Sequence, residues 1–146
     1  MLVIGYDARH GSADFARHAA GVMRAAGIET WITLTPCPTP LLAFAVRHLH
    51  AAAGLMVTAS HNPAADNGLK VYWSDGAQIA PPVDVVIASA ITQVAGELDA
   101  HDPPGEPVEF ASTRCLDAAV EEAYIGSVCA LVAPHPGRLN PLRVAC

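Results

Sequence analysis

The first part of the sequence alternates short apolar runs with amphipathic segments, and this alternation limits the folds open to the chain. The apolar runs at residues 1–6, 30–34 and 54–58 have the length and the β-branched content of strands. The segments at 12–26 and 39–49 place apolar residues three and four positions apart, as on one face of a helix. Strand, helix, strand, helix, strand is the order of a parallel sheet with right-handed crossovers.

Cap signals mark the ends of the two predicted helices. Ser12 is predicted to cap the first helix, and Gly27 to end it. Thr39 and Pro40 supply an N-cap and a first-turn proline for the second helix. Both segments therefore read as complete helices between strands.

The sequence after residue 58 predicts an antiparallel addition to this sheet. A polar loop leads into two strand-forming runs, 69–73 and 77–79, which flank an Asp-Gly turn typical of a hairpin. The fold class is therefore α/β, a three-layer α/β/α domain with a mixed, mainly parallel sheet.

Two more helical patterns follow the hairpin. They cover residues 82–94 and 116–132, and a Pro- and Gly-containing stretch at 95–113 between them reads as a surface linker.

Composition excludes several classes of partner. The 146 residues include 14 acidic and 8 basic side chains, a net charge of -6, and no cluster of Lys or Arg, so nucleic acid and membrane surfaces are not expected partners. No apolar stretch approaches the roughly 20 residues of a membrane span, and the first residues lack a charged segment followed by a long apolar one, so export is not expected. The four cysteines form no C-x-x-C pair. These features predict a cytoplasmic protein with reduced thiols.

Polar residues follow the first and third predicted strands, where the carboxyl ends of parallel strands collect ligands. The third strand leads into Ser60, His61 and Asn62, and Lys70, the only lysine, lies ten residues after Ser60. In such a set the hydroxyl is a candidate nucleophile, and the imidazole and the amine are candidate proton carriers. A serine that accepts a phosphoryl group needs compensation for about two negative charges, which His61, Lys70 and Arg9 could supply.

Simpler interpretations exist for each of these residues. A lone Ser-His pair is more often a turn whose side chains bond the local backbone. Lys70 alone would be a solvated strand residue, and Arg9 could equally form an ion pair with Asp7. A hydrolase is excluded because no G-x-S-x-G motif surrounds Ser60.

The longer motif resembles the active-serine signature of the α-D-phosphohexomutase family, the phosphoglucomutases and phosphomannomutases. The similarity lies in Thr-Ala-Ser-His-Asn-Pro at 58–63, joined to Asn-Gly-Leu-Lys-Val-Tyr at 67–72. Residues 5–12 and Pro-Thr-Pro at 38–40 resemble other first-domain motifs of that family. The resemblance runs from the first residue to about Val94, with a weaker match after Leu116.

The resemblance implies a serine held as phosphoserine, which exchanges its phosphoryl group with a hexose phosphate through a bisphosphate intermediate. Ser60 would be the carrier and would contact Mg²⁺ through its phosphate. His61 would steady the loop, and Lys70 would transfer protons to and from the sugar hydroxyl. Arg9 and Asn62 would assist in phosphate or substrate binding, with hexose 1,6-bisphosphate as activator.

The resemblance also divides the chain. Residues 1–113 would form domain I, which would lack its N-terminal part. Residues 114–146 would form a linker helix and the first strand of a truncated domain II. Residues 142–146 resemble that first strand. The family's Asp-Gly-Asp-x-Asp-Arg metal loop does not occur in this sequence. The expected partners are a hexose phosphate and the remainder of the same enzyme. The alternative is a non-catalytic remnant that acts at most as a binding module.

Overall fold

The computed structural model describes residues 1–97 and 114–132, which form one five-stranded sheet with helices on both faces. The elements in chain order are β1 (Leu2–Tyr6), α1 (Ser12–Ala25), β2 (Thr30–Thr33), α2 (Thr39–His48), β3 (Ala53–Val57), β4 (Leu69–Trp73), α3 (Val83–Glu97), β5 (Arg114–Leu116) and α4 (Ala118–Ala130).

The strands lie in the order β4-β3-β1-β2-β5. All neighbouring pairs are parallel except β3 with β4, which are antiparallel. The mixed, mainly parallel sheet and the antiparallel edge predicted from the sequence are confirmed. The second run of the hairpin pairs only through an isolated bridge between Tyr72 and Gln78.

The core consists of two layers, one on each face of the sheet. Every residue of β1 is buried, and alternate side chains point to opposite faces. Val3 packs with Leu42 and Val46 of α2, whereas Ile4 packs with residues of α1 such as Ala16. Because helices cover both faces, the central strand is apolar throughout, as is typical of parallel sheets.

The predicted N-cap residues of both helices were wrong, whereas the prediction of Pro40 in the first turn of α2 is confirmed. Gly11, with a φ of 75°, is the N-cap of α1, and Pro38 is the N-cap of α2; neither helix has a side-chain cap bond. Ser12 is instead fully buried, and its hydroxyl lies 2.8 Å from Asp7 Oδ1. The serine hydroxyl thus bonds to a side chain outside the helix, not to the free N–H groups of α1.

The region after residue 113 differs from the expected single helix. Arg114–Leu116 forms β5, which pairs with β2 in parallel, and α4 begins only at Ala118, where the Asp117 side chain caps it. The linker was expected at residues 95–113, but α3 extends to Glu97 and so includes its first three residues. The rest of the expected linker lies outside the described residues. The expected second-domain strand at 142–146 also lies outside them, and the division at residue 113 stays a prediction.

No helix within residues 1–97 and 114–132 has the length and apolar character needed to cross a bilayer. The expectation of a cytoplasmic location remains a prediction.

Candidate active site

Two polar loops meet where β1 and β3 end. Tyr6 and Val57 are paired in register at the ends of these parallel strands, and the Asp7 N–H donates to the Val57 carbonyl over 3.1 Å. The loop after β1 therefore lies against the loop after β3, residues 58–68, here called the serine loop. The convergence predicted from the sequence is confirmed for these two loops.

The carboxylate of Asp7 joins the two loops. It accepts hydrogen bonds from Thr58 Oγ1 (2.6 Å), Ser12 Oγ (2.8 Å), Arg9 Nε (2.9 Å) and the Arg9 N–H (3.1 Å). Burial acts to raise the pKa of Asp7, but the hydrogen bonds from Thr58, Ser12 and Arg9 outweigh it, and the pKa is lowered. Asp7 is thus stabilised as an anion that organises its neighbours.

Arg9 uses the other nitrogens of its guanidinium to donate hydrogen bonds to backbone carbonyls of the serine loop. Its Nη2 donates to the Ser60 carbonyl, and its Nη1 donates to the carbonyls of Asn62 (2.8 Å) and Pro63 (2.5 Å). Only 11% of the Arg9 side chain is exposed, so these donors are committed to the protein. The ion-pair interpretation of Arg9 is confirmed, whereas its direct contact with phosphate stays a prediction.

Ser60 is exposed and lies in the left-handed backbone region, with a φ of 57°. A serine rarely adopts this conformation, because its Cβ then approaches the backbone. The Ser60 N–H donates to Thr58 Oγ1 over 3.0 Å, and the Ser60 carbonyl is held by Arg9. The residue predicted as the carrier is therefore fixed at both backbone groups while it remains open to solvent. Such strained residues cluster at functional sites.

Lys70 lies on β4, directly opposite Met56 in the antiparallel register, one residue in from the end of β4 that adjoins the serine loop. Opposite residues of an antiparallel pair share a face, so Lys70 is on the Met56 and Tyr72 face, which α2 covers. Lys70 is half-buried. Within the described residues, no hydrogen bond or ion pair joins it to the serine loop, and its proton-transfer role stays a prediction.

His61 and Asn62 have exposed side chains. In the part of the chain that the structure describes, neither side chain makes a hydrogen bond or ion pair, although the Asn62 backbone donates to Ala59 and accepts from Arg9. The side-chain contacts that hold the loop near Ser60 come from Arg9 and from Thr58, which Asp7 fixes in turn. The expectation that His61 steadies the loop has no described contact behind it and stays a prediction.

Sequence reasoning missed the roles of three residues, Thr58, Ser12 and Asn67. Thr58 stands at the end of a buried strand, where its hydroxyl would need a partner, and this was the available signal. The Asn67 amide donates to the His10 carbonyl over 2.7 Å, a contact between residues 57 positions apart that no periodicity indicates.

Among the residues that the structure describes, no three His, Cys, Asp or Glu side chains come together as a metal-binding group. The described residues therefore supply no such ligand group for Mg²⁺, and its contact with the chain through the Ser60 phosphate stays a prediction.

The fold and the site together define a three-layer α/β/α domain that presents a serine at the carboxyl rim of its sheet. The chain belongs to the phosphoglucomutase/phosphomannomutase family, because the model of that family's alpha/beta/alpha domain I matches residues 1–97. The expected family and domain are confirmed.

Individual proteins show the same similarity. A phosphoglucomutase of Staphylococcus haemolyticus is 36% identical over 135 residues, which are 92% of this chain and 25% of that protein. A probable phosphoribomutase of Schizosaccharomyces pombe is 52% identical over 90 residues, which are 62% of this chain and 15% of that protein. The crystal structure of a putative phosphomannomutase from Thermus thermophilus aligns with a TM-score of 0.71 at 32% identity, over 90% of this chain and 27% of that one. The chain thus spans about a quarter of the length of such relatives, or less.

Proposed function

We propose that this chain is the phosphoserine-carrying domain of a sugar-phosphate mutase of carbohydrate metabolism, one that interconverts hexose 1-phosphate and hexose 6-phosphate through a bisphosphate. The observation that carries the proposal is the state of Ser60, an exposed residue with positive φ whose N–H and C=O are both held. Membership of the mutase family supports the proposal.

The proposed reaction is two phosphoryl transfers in opposite directions. In the first, a sugar hydroxyl oxygen attacks the phosphorus on Ser60, so that a sugar O–P bond forms and the Ser60 Oγ–P bond breaks. In the second, Ser60 Oγ takes the phosphoryl group from the other end of the bisphosphate. Phosphate is conserved, and the serine leaves the cycle phosphorylated as it entered.

Lys70 is proposed to take the proton of the attacking hydroxyl and to return it to the oxygen that loses its phosphoryl group. This role requires the amine to be neutral when it accepts the proton. His61 and Asn62 are proposed to face the incoming phosphate, because both side chains are exposed beside Ser60.

Arg9 is proposed to act through electrostatics. Its largely buried guanidinium donates hydrogen bonds to carbonyls of the serine loop and so brings a positive charge close to that loop. The adjacent Asp7 carboxylate offsets part of this charge. Mg²⁺ and hexose 1,6-bisphosphate remain proposals from the family resemblance.

Phosphate mapping tests the proposal. The native protein is isolated under conditions that preserve phosphoserine, and its peptides are analysed by mass spectrometry. We expect phosphate on Ser60, its loss in Ser60→Ala, and its retention in the matched control Ser74→Ala, which changes an exposed serine in the hairpin turn. A Ser60 that is unmodified throughout contradicts the proposal.

A second candidate function is a binding module without activity. The observation behind it is that the family's Asp-Gly-Asp-x-Asp-Arg metal loop does not occur in this sequence. The purified chain is assayed with glucose 1-phosphate, Mg²⁺ and a trace of glucose 1,6-bisphosphate. We expect no turnover from the chain alone; measurable turnover would eliminate the binding-module candidate.

The similar proteins have names that include both hexose and pentose mutases. The proposed substrate class is therefore a sugar monophosphate, with the hexose as the first compound to assay.

A further inference from the structure

Ser12 is a fully buried polar residue placed between the two loops of the site. Its Oγ lies 2.8 Å from Asp7 Oδ1 and 3.0 Å from Asn67 Oδ1, in the loop 55 residues away. A serine hydroxyl has one proton to donate, so the carboxylate and the amide oxygen share it. Ser12 therefore contacts both the anion that organises the site and the far end of the serine loop.

Asn67 completes this link from the other side. Its Nδ2 donates to the His10 carbonyl over 2.7 Å, while its Oδ1 faces Ser12. The next residue, Gly68, accepts from the Thr58 N–H over 2.9 Å and closes the base of the loop. The contacts of Arg9 reach carbonyls from Ser60 to Asp66, so Asn67 is the last side chain that ties the loop to the body of the domain.

We propose that Ser12 and Asn67 are positioning residues that hold the far end of the serine loop against the start of α1 and so keep Ser60 in its left-handed conformation. The significance of this inference for phosphoryl transfer rests on the proposed function. The physical reason is the entropy of an eleven-residue loop from 58 to 68. Each released residue regains backbone freedom, and Ser60 then leaves a conformation that a serine disfavours.

Amide hydrogen exchange of the full chain tests the link. The variants are Asn67→Ala, which removes both of its bonds, and Ser12→Ala, which removes the buried hydroxyl. Ser89→Ala, in an exposed position of α3, is the matched control. We expect exchange at residues 59–67 to become faster in the first two variants, by about 3- to 10-fold for each hydrogen bond lost, with β1 and β3 unchanged.

The φ of Ser60 provides a second readout, which a general loss of stability would not change. It is measured by the backbone chemical shifts of Ser60 and by the three-bond coupling between its amide and α protons. They should shift toward averaged values in Asn67→Ala and Ser12→Ala and stay fixed in Ser89→Ala. The two site variants combined should show less than the product of their separate effects, because they break one shared link.

Unchanged loop exchange in both site variants overturns the proposal. So does an equal rise in exchange across the sheet, or failure of both variants to fold, since either would assign the residues to overall stability. Phosphate on Ser60 is measured separately. A loosened loop with no phosphate on Ser60 would refute the proposed function and leave the link intact; phosphate present with an unchanged loop would refute only the link.

Discussion

Thr58 Oγ1 donates a hydrogen bond of 2.6 Å to Asp7 Oδ2, so one hydroxyl joins the ends of β1 and β3. The same oxygen accepts the Ser60 N–H over 3.0 Å. Thr58 thus uses both its donor and its acceptor capacity, and the position of Ser60 depends on an anion 53 positions earlier in the chain, which is itself fixed by Arg9.

Replacing Thr58 by Val should therefore lower the free energy of unfolding by about 1–3 kcal/mol, because Val keeps the shape but leaves the Ser60 N–H and Asp7 with one partner fewer. Thr58→Ser keeps the hydroxyl and loses one methyl group, at a cost of about 0.8 kcal/mol. Urea unfolding of both variants measures the difference. A Val variant as stable as the Ser variant would show that the hydroxyl contributes nothing.

Asp7→Asn should be destabilised at neutral pH by about 1–3 kcal/mol, since hydrogen bonds from Arg9, Thr58 and Ser12 to a charged acceptor are lost or weakened. The difference from wild type should depend on pH. Because the pKa of Asp7 is lowered in the folded protein, the contribution of its anion is present above the unfolded-state pKa of about 3.9 and is lost as pH falls through the folded pKa.

Urea midpoints at pH 7, 5, 4 and 3 measure this dependence. The gap between wild type and Asp7→Asn should be constant from pH 7 to 5 and should narrow below about pH 4. Ser89→Ala, which changes no ionisable group and lies in α3, outside the site, is the control, and its gap from wild type should not change with pH. A gap that widens as pH falls would contradict the lowered pKa.

The fold was largely predictable because its central strands are continuous apolar runs. β1 and β3 are buried on both faces, and short apolar runs of that kind are typical of strands in the middle of a parallel sheet. β5 was not predicted, because three residues beginning with Arg114 carry no periodic signal and become a strand only by pairing with β2. Pairing of this kind depends on tertiary contacts and not on local propensity.

The candidate site was predictable in its location and not in its hydrogen bonds. Parallel strands deliver their following loops to one rim, and this rule alone brings the loop of Ser60 close to the loop of Arg9. Ser12 was misread because a serine at a helix start is most often a cap. Its partner in the serine loop lies 55 residues away, and only the folded chain shows that contact.

Gly54 of β3 should not tolerate a side chain. A Cβ at this position would lie 2.5 Å from Val46 Cγ2 of α2, so Gly54→Ala should lower the free energy of unfolding by about 1–3 kcal/mol through overpacking. Gly96→Ala in α3 is the matched control, since open space surrounds it; there alanine should add up to about 1 kcal/mol. Thermal unfolding of both variants compares them, and equal shifts of the same sign would contradict the close packing of β3 against α2.

Ser60→Gly should be more stable than Ser60→Ala, although both lack a hydroxyl. With φ at 57°, an alanine Cβ retains a steric cost of roughly 1–2 kcal/mol that glycine does not have. Glycine also gives the unfolded chain more freedom, which offsets roughly 0.4–1 kcal/mol of that gain. We expect the free energy of unfolding of the Gly variant to exceed that of the Ala variant by about 0.5–1 kcal/mol, as measured by urea unfolding.

The same pair of substitutions at exposed Ser89, in the helix α3, should give the opposite order, because glycine destabilises a helix relative to alanine. If Ser60→Ala proves equal to or more stable than Ser60→Gly, Ser60 does not hold a left-handed conformation in solution, and the backbone strain on which the proposed function relies is absent.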